Sequence, residues 1–214
     1  MEINQLVYGN PTFEMLSTIQ EAHFLDDIFF ENKNADMPAN GSELTKEELN
    51  ELADYTRTIQ DPENQDYLKR YKSYDRNLTQ AIVSTFKTKG LNVEELCQQV
   101  IEDIMPLLYK LKYSFQRPRP YQLAHFYKLK LFPIKSYSTN SPSFPSEHAV
   151  EASVLLNVIG NRFPKHYQFC QELLDDINAS RLYMGLNYRT DNEFGEKIAE
   201  AILKNAEFAK KHSI

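Results

Sequence analysis

The sequence predicts an all-α protein, a single-domain helical bundle, on three observations. Apolar residues recur at three- and four-residue spacing along nearly the whole chain. Capping residues and prolines stand where those periodic runs begin. Period-2 alternation and hairpin turns do not stand out. With 214 residues the chain is long enough for one well-buried core. Its hydrophobic and charged fractions, 42% and 25%, are those of a globular protein.

Asn10-Pro11 is expected to open the first helix in cap-then-proline style, with Phe13, Leu16, Ile19, Leu25 and Phe29 on one face. Asn32 to Ser42 lacks periodicity and reads as a surface loop. Thr45-Lys-Glu-Glu48 fits a capping box before a short helix. Asp61-Pro62 begins a longer one that ends at Gly90. Asn92 starts the next, with Pro106 expected to kink or end it. A short aromatic segment, Tyr121 to Phe132, precedes an irregular loop from Pro133 to Pro145. Ser146 to Phe163 is a strongly apolar helix, Lys165 to about Met184 another, and Asp191 to His212 the last. The pattern count is roughly seven to nine helices. They divide into N-terminal helices over 1–111, a motif-bearing core over 112–195 and a C-terminal helix over 196–214.

The net charge of −6 argues against nucleic acid as the main partner. No apolar run is long enough to span a bilayer, and no signal peptide is visible. The reading is cytoplasmic, although a processed secreted chain would look the same. Cys97 and Cys170 lie in helical patterns and read as small packed hydrophobes. Charge is unevenly spread. Between Asp103 and Glu147 there is no acidic residue, while Lys110, Lys112, Arg117, Arg119, Lys128, Lys130 and Lys135 all fall there. A basic segment in an acidic chain points to a local anion site.

Three stretches carry the chemistry. In Lys112-Tyr-Ser-Phe-Gln-Arg117-Pro-Arg119-Pro120, a helix-borne ammonium and a guanidinium on a proline exit can meet one anion. The spacing leaves two registers, Lys110 with Arg117 or Lys112 with Arg119. In Pro145-Ser146-Glu147-His148, an N-capped helix start offers free backbone N–H groups and a dipole suited to phosphate. His148 there has the pKa range of a general acid. In Ser180-Arg181 through Gly185 and Asn187 to Asp191, another arginine and a helix start converge. Alone, Asp191 reads as an N-cap.

Together, in this order on a helical background, the stretches resemble the type 2 phosphatidic acid phosphatase and vanadium haloperoxidase superfamily. Its signature is Lys-x6-Arg-Pro, Pro-Ser-Gly-His and Ser-Arg-x5-His-x3-Asp. The nearest likeness is to the soluble bacterial class A acid phosphatases, over about Lys112 to Gly195. The resemblance implies an all-α bundle of the acid phosphatase/haloperoxidase type and fixes the register at Lys112 and Arg119, with Arg117 as an extra arginine. It also implies roles. Lys112, Arg119 and Arg181 would hold phosphate oxygens, aided by the Ser146 hydroxyl and the Glu147 backbone N–H. His148 would protonate the leaving alcohol, position 187 would carry the nucleophilic histidine, and Asp191 would orient it. No metal or other cofactor is implied; vanadate can stand in for phosphate. The expected ligand is a small phosphorylated molecule, and a homodimer is compatible with a chain of this size.

Two positions depart from the signature. Glu147 replaces the motif glycine; as an early helix residue it is expected to point away from the anion and favour the dipole. Asn187 stands at the nucleophile position, and a carboxamide cannot form a phosphohistidine. Loss of such a nucleophile costs on the order of 10⁶ in rate. Three readings follow. Asn187 is a trapping substitution in a chain that otherwise carries His, or it marks a non-catalytic phosphate- or nucleotide-binding protein, or His148 or Glu147 activates water directly. Among the remaining histidines only His125 lies near enough in sequence to stand in. A vanadate-dependent haloperoxidase ranks last, because Asn187 removes the vanadium ligand.

Overall fold

The computed structural model describes residues 2–132 and 134–214. Pro133, where the expected irregular loop begins, lies outside the described residues. Helices are the regular secondary structure of the described residues, which contain no strand. After a single 3-10 turn come α1 (Phe13–Gln20), α2 (Asp26–Asn32), α3 (Glu43–Thr58), α4 (Gln65–Arg76) and α5 (Leu78–Lys87). Then follow α6 (Glu94–Phe115), α7 (Pro120–Leu123), α8 (Glu147–Arg162), α9 (Tyr167–Tyr183), α10 (Arg189–Lys204) and α11 (Ala206–His212).

Helix α8 is the axis of the fold. It packs against α9, α10 and α6, and most of its residues are buried whichever way they face. Its sequence explains this: Ala149, Val150, Ala152, Val154, Leu155, Leu156, Val158 and Ile159 surround the helix rather than forming one stripe. A helix that is apolar all round belongs inside a protein. Around it, α1 and α2 lie on α6, α3 and α4 lie on α9, and α5 joins α4 to α6. A smaller apolar cluster of Leu49, Leu52, Leu123, Ala124 and Tyr188 ties α3 and α7 to the start of α10. Cys97 and Cys170 are buried free thiols, packed as apolar side chains.

Several helix boundaries differ from the expected ones, and caps account for them. The expected helix from Asp61 to Gly90 breaks at Asn77, whose extended backbone and side chain cap α5 by accepting from Gln80 N at 2.9 Å. The expected last helix breaks at Asn205, which accepts from the N–H groups of Glu207 and Phe208. Helix α3 is long, not short, and starts earlier, because Ser42 is the cap while Thr45 donates its hydroxyl to Ala39 O. Thr12, not Asn10, caps α1, and the first periodic run divides into α1 and α2. Pro106 neither ends α6 nor splits it. Asp191 is not a cap either. Tyr188 precedes α10, and the Asp191 carboxylate reaches back to accept from Tyr188 N at 2.9 Å.

Candidate active site

All three motifs come together around the N-terminus of α8. Lys112 lies in the last turn of α6 and is fully buried. Its ammonium donates to Pro142 O at 2.7 Å and to Pro145 O at 3.0 Å, tying the first motif to the second. Arg119 precedes α7; its Nε donates to Ser141 O and its Nη1 to Leu186 O, each at 2.9 Å. That second bond ties the first motif to the third. Ser146 N donates to Asp191 O at 3.0 Å and joins the second to the third. The register is therefore Lys112 with Arg119. Lys110 is engaged elsewhere, with Asp26 at 2.5 Å.

The second motif is held rigidly. Phe144 is buried, stacked on Phe194 at 4.5 Å and edge-on to Phe115 at 4.9 Å, so it is core rather than a surface for substrate. Ser146 caps α8 by accepting from Ala149 N at 3.4 Å. Among the described residues the N–H groups of Glu147 and His148 find no acceptor. They are the unpaired donors that a helix start presents to an anion.

In the third motif, α9 closes on Gly185 with φ +70°, a left-handed turn that glycine adopts without cost. Gly185 N donates to Leu182 O and Leu186 N to Arg181 O, the paired bonds of a Schellman close. The turn sends the chain back, so Arg181 Nε reaches Asn187 Oδ1 at 3.2 Å. Asn187 Nδ2 donates to Ser143 O at 2.8 Å and lies 3.4 Å from Asp191 Oδ2. Asp191 also accepts from the Ser143 hydroxyl and from Arg117 Nη1 at 2.6 Å. Asn187 thus sits beside the aspartate that the signature pairs with its histidine.

Burial shifts the basic groups of the site. It pushes the Lys112 ammonium down to about 7, with Arg119 adding to the fall and Glu147 opposing it. It brings Arg181 down to about 10 against the pull of Asp75, and lowers Arg119 as well. His148 is held well below its usual value, first by burial and then by Arg181. Its Nε2 lies 3.2 Å from Tyr74 O. A carbonyl only accepts, so Nε2 carries the hydrogen and Nδ1 the lone pair. Burial and the neighbouring Arg181 therefore both disfavour the imidazolium form of His148.

Glu147 corrects the sequence reading. Its carboxylate turns inward, 3.9 Å from Lys112 Nζ, and its charge acts on Arg119 and Arg181. The attraction of a buried ammonium outweighs the dipole preference that favours an outward rotamer. One turn on, Glu151 is buried, and burial followed by the charge of Glu147 raises its carboxyl well above the usual range.

Sequence reasoning missed the acids supplied by the N-terminal helices. Asp75, at the end of α4, accepts from Arg181 Nη1 at 3.1 Å and from Ser136, Tyr137 N and Ser138. Glu48 on α3 pairs with Arg117 at 3.0 Å, both fully buried. Neither lies in a motif, and no local signal marks them. His125 is exposed after α7 with its ring 4.0 Å from Phe126, and takes no part in the site.

Compared with known families, residues 96–204 match the PAP2 superfamily. The chain belongs to that superfamily. The matched span runs from α6 through α10 and carries all three motifs. None of the curated proteins compared with the chain matches it. PAP2 membership agrees with the all-helical architecture and points to phosphoester hydrolase-like chemistry. In this PAP2 chain no helix among the described residues is long and apolar enough to cross a membrane. Nor do the described residues contain a group of three or more His, Cys, Asp or Glu arranged to hold a metal ion.

Proposed function

We propose that the chain is an acid-phosphatase-like phosphomonoester hydrolase whose phosphate cage is complete and whose turnover by the superfamily route is impaired. Lys112, Arg119 and Arg181 hold the phosphate oxygens, with the Ser146 hydroxyl and the backbone N–H of Glu147. His148 protonates the leaving alcohol after phosphate binding raises its proton affinity. Asp191 orients the side chain at 187. None of these steps calls on a metal ion, and vanadate serves as a phosphate mimic in the same cage.

The observation that carries this reading is the position of Asn187. Its carboxamide lies within reach of both Arg181 and Asp191, where a nucleophile would meet a caged phosphorus. An amide nitrogen has no basic lone pair, so no covalent phosphoenzyme forms there. The test is hydrolysis of an aryl phosphate at mildly acid pH by the wild type and Asn187→His. The variant is expected to raise the rate by about a hundredfold or more. An unchanged rate in a folded variant that still binds phosphate would sink the assignment of position 187.

A second reading is favoured by the same bonds. Asn187 is satisfied at both ends of its amide, by Arg181 and by Ser143 O. A settled amide suits a binding protein that holds a phosphorylated small molecule or nucleotide without turnover. Saturable phosphate binding with no detectable release of product from any phosphomonoester favours it.

A further inference from the structure

The groups assigned above to the cage are three cations, Lys112, Arg119 and Arg181. Two carboxylates face them: Asp75 pairs with Arg181 at 3.1 Å, and Glu147 approaches Lys112 at 3.9 Å. Burial and then Glu147 raise the Glu151 carboxyl well above its usual range, favouring its neutral form. The nearby Tyr109 and Tyr113 phenols of α6 are raised too, first by burial and then by Glu147. Behind the cage, Arg117 with Glu48 and Asp191 adds about one net negative charge, and Asp191 acts on Arg119 and Lys112. With Glu147 in place, the cage and these surroundings are about neutral. Without it, they carry about one net positive charge.

We infer that Glu147 shifts the preference of this site away from dianions and toward singly charged phosphate esters. Coulomb energy scales with ligand charge, so a fixed carboxylate beside the cage opposes a dianion twice as strongly as a monoanion at the same place. Lys112 has no exposed surface and the Glu147 side chain is 25% exposed, so water screens this contribution only in part. A phosphomonoester loses its second proton near pH 6. The species that gains from Glu147 is therefore the one present in mild acid, or a diester that never gains a second charge. Glu147 also keeps its own backbone N–H available to the anion, so its side chain and main chain play opposed parts. The negative side chain screens ligands by charge, while the main chain donates to whichever ligand enters.

The inference rests on the cage reading, and the experiment separates the two. Sulfate and methyl sulfate share a tetrahedral centre and keep charges of −2 and −1 across the working pH range. Their affinities are measured by calorimetric titration at pH 6 and constant ionic strength, for the wild type, Glu147→Gln and Glu147→Ala. Thermal melts confirm that each variant is folded. The expected result is that both variants shift the preference toward sulfate by about tenfold relative to the wild type, with the methyl sulfate affinity rising less. An unchanged preference, with both anions still bound, overturns the role of Glu147 and leaves the cage standing. If no form of the protein binds either anion, the cage reading fails and the inference fails with it.

Discussion

Lys112 and Arg117 are both fully buried cations of the first motif, yet they are held in different ways. Arg117 lies over the Tyr188 ring at 3.9 Å and pairs with Glu48 and Asp191, so its charge is spent within the protein. Lys112 donates to two carbonyls and meets only the more distant Glu147, so its charge is not spent in a close ion pair. Burial brings its folded pKa down to about 7. The protonated ammonium is the anion-binding form, so affinity is highest below that value and falls as pH rises through it. Methyl sulfate, which stays singly charged, is expected to bind more weakly at pH 8.5 than at pH 6, and Lys112→Met should flatten the profile. A wild-type affinity that does not change over this range contradicts a neutral-range Lys112. At this scale the stretches that meet were legible in the sequence: Lys112, Arg119, Ser146, His148, Arg181 and Asp191 sit in the stretches that carry the resemblance, and Asn187 stands out against its signature. The orientation of Glu147 was not legible, because it depends on the buried Lys112 ammonium, far away in the chain.

Helices α8 and α10 approach so closely that a Cβ on Gly195 would lie 2.9 Å from Ala149 Cβ and 3.0 Å from Ser146 O. The contact is at the first turn of α8, where Ser146 caps the helix and Asp191 O accepts from Ser146 N. Gly195→Ala is expected to force the helices apart at that point, costing about 1–3 kcal/mol of stability in urea denaturation. Oxyanion affinity should fall in parallel, since the unpaired N–H groups of α8 move with the helix. An unaltered stability contradicts the tight α8–α10 contact. Element type followed well from periodicity, but element ends did not. Asn77 and Asn205 sit within runs whose apolar spacing continues on either side, and each ends one helix by capping the next. Pro106 shows the converse, since packing on α2 and α8 carries α6 through a residue that would break an isolated helix.

Across the whole molecule, α6, the turn before α7 and α9 supply the cations and α8 the helix start, while α3 and α4 supply acids that balance them. Glu48 restrains Arg117, Asp75 restrains Arg181, and Ser136 and Ser138 tie the loop before the second motif to the same Asp75. The all-α class and the meeting of the three motifs could be read from the chain because the motifs are local patterns. The contribution of the N-terminal helices could not, since single acidic residues on amphipathic helices look alike until tertiary contacts choose among them. The central claim is that Lys112, Arg119 and Arg181 form one oxyanion cage at the start of α8. Calorimetric titration of inorganic phosphate at pH 6 into the wild type and Arg119→Met tests it most directly. Saturable one-site binding to the wild type, weakened by about tenfold or more in the folded variant, is the predicted result. Equal affinity in the two proteins, or no binding to the wild type, contradicts it.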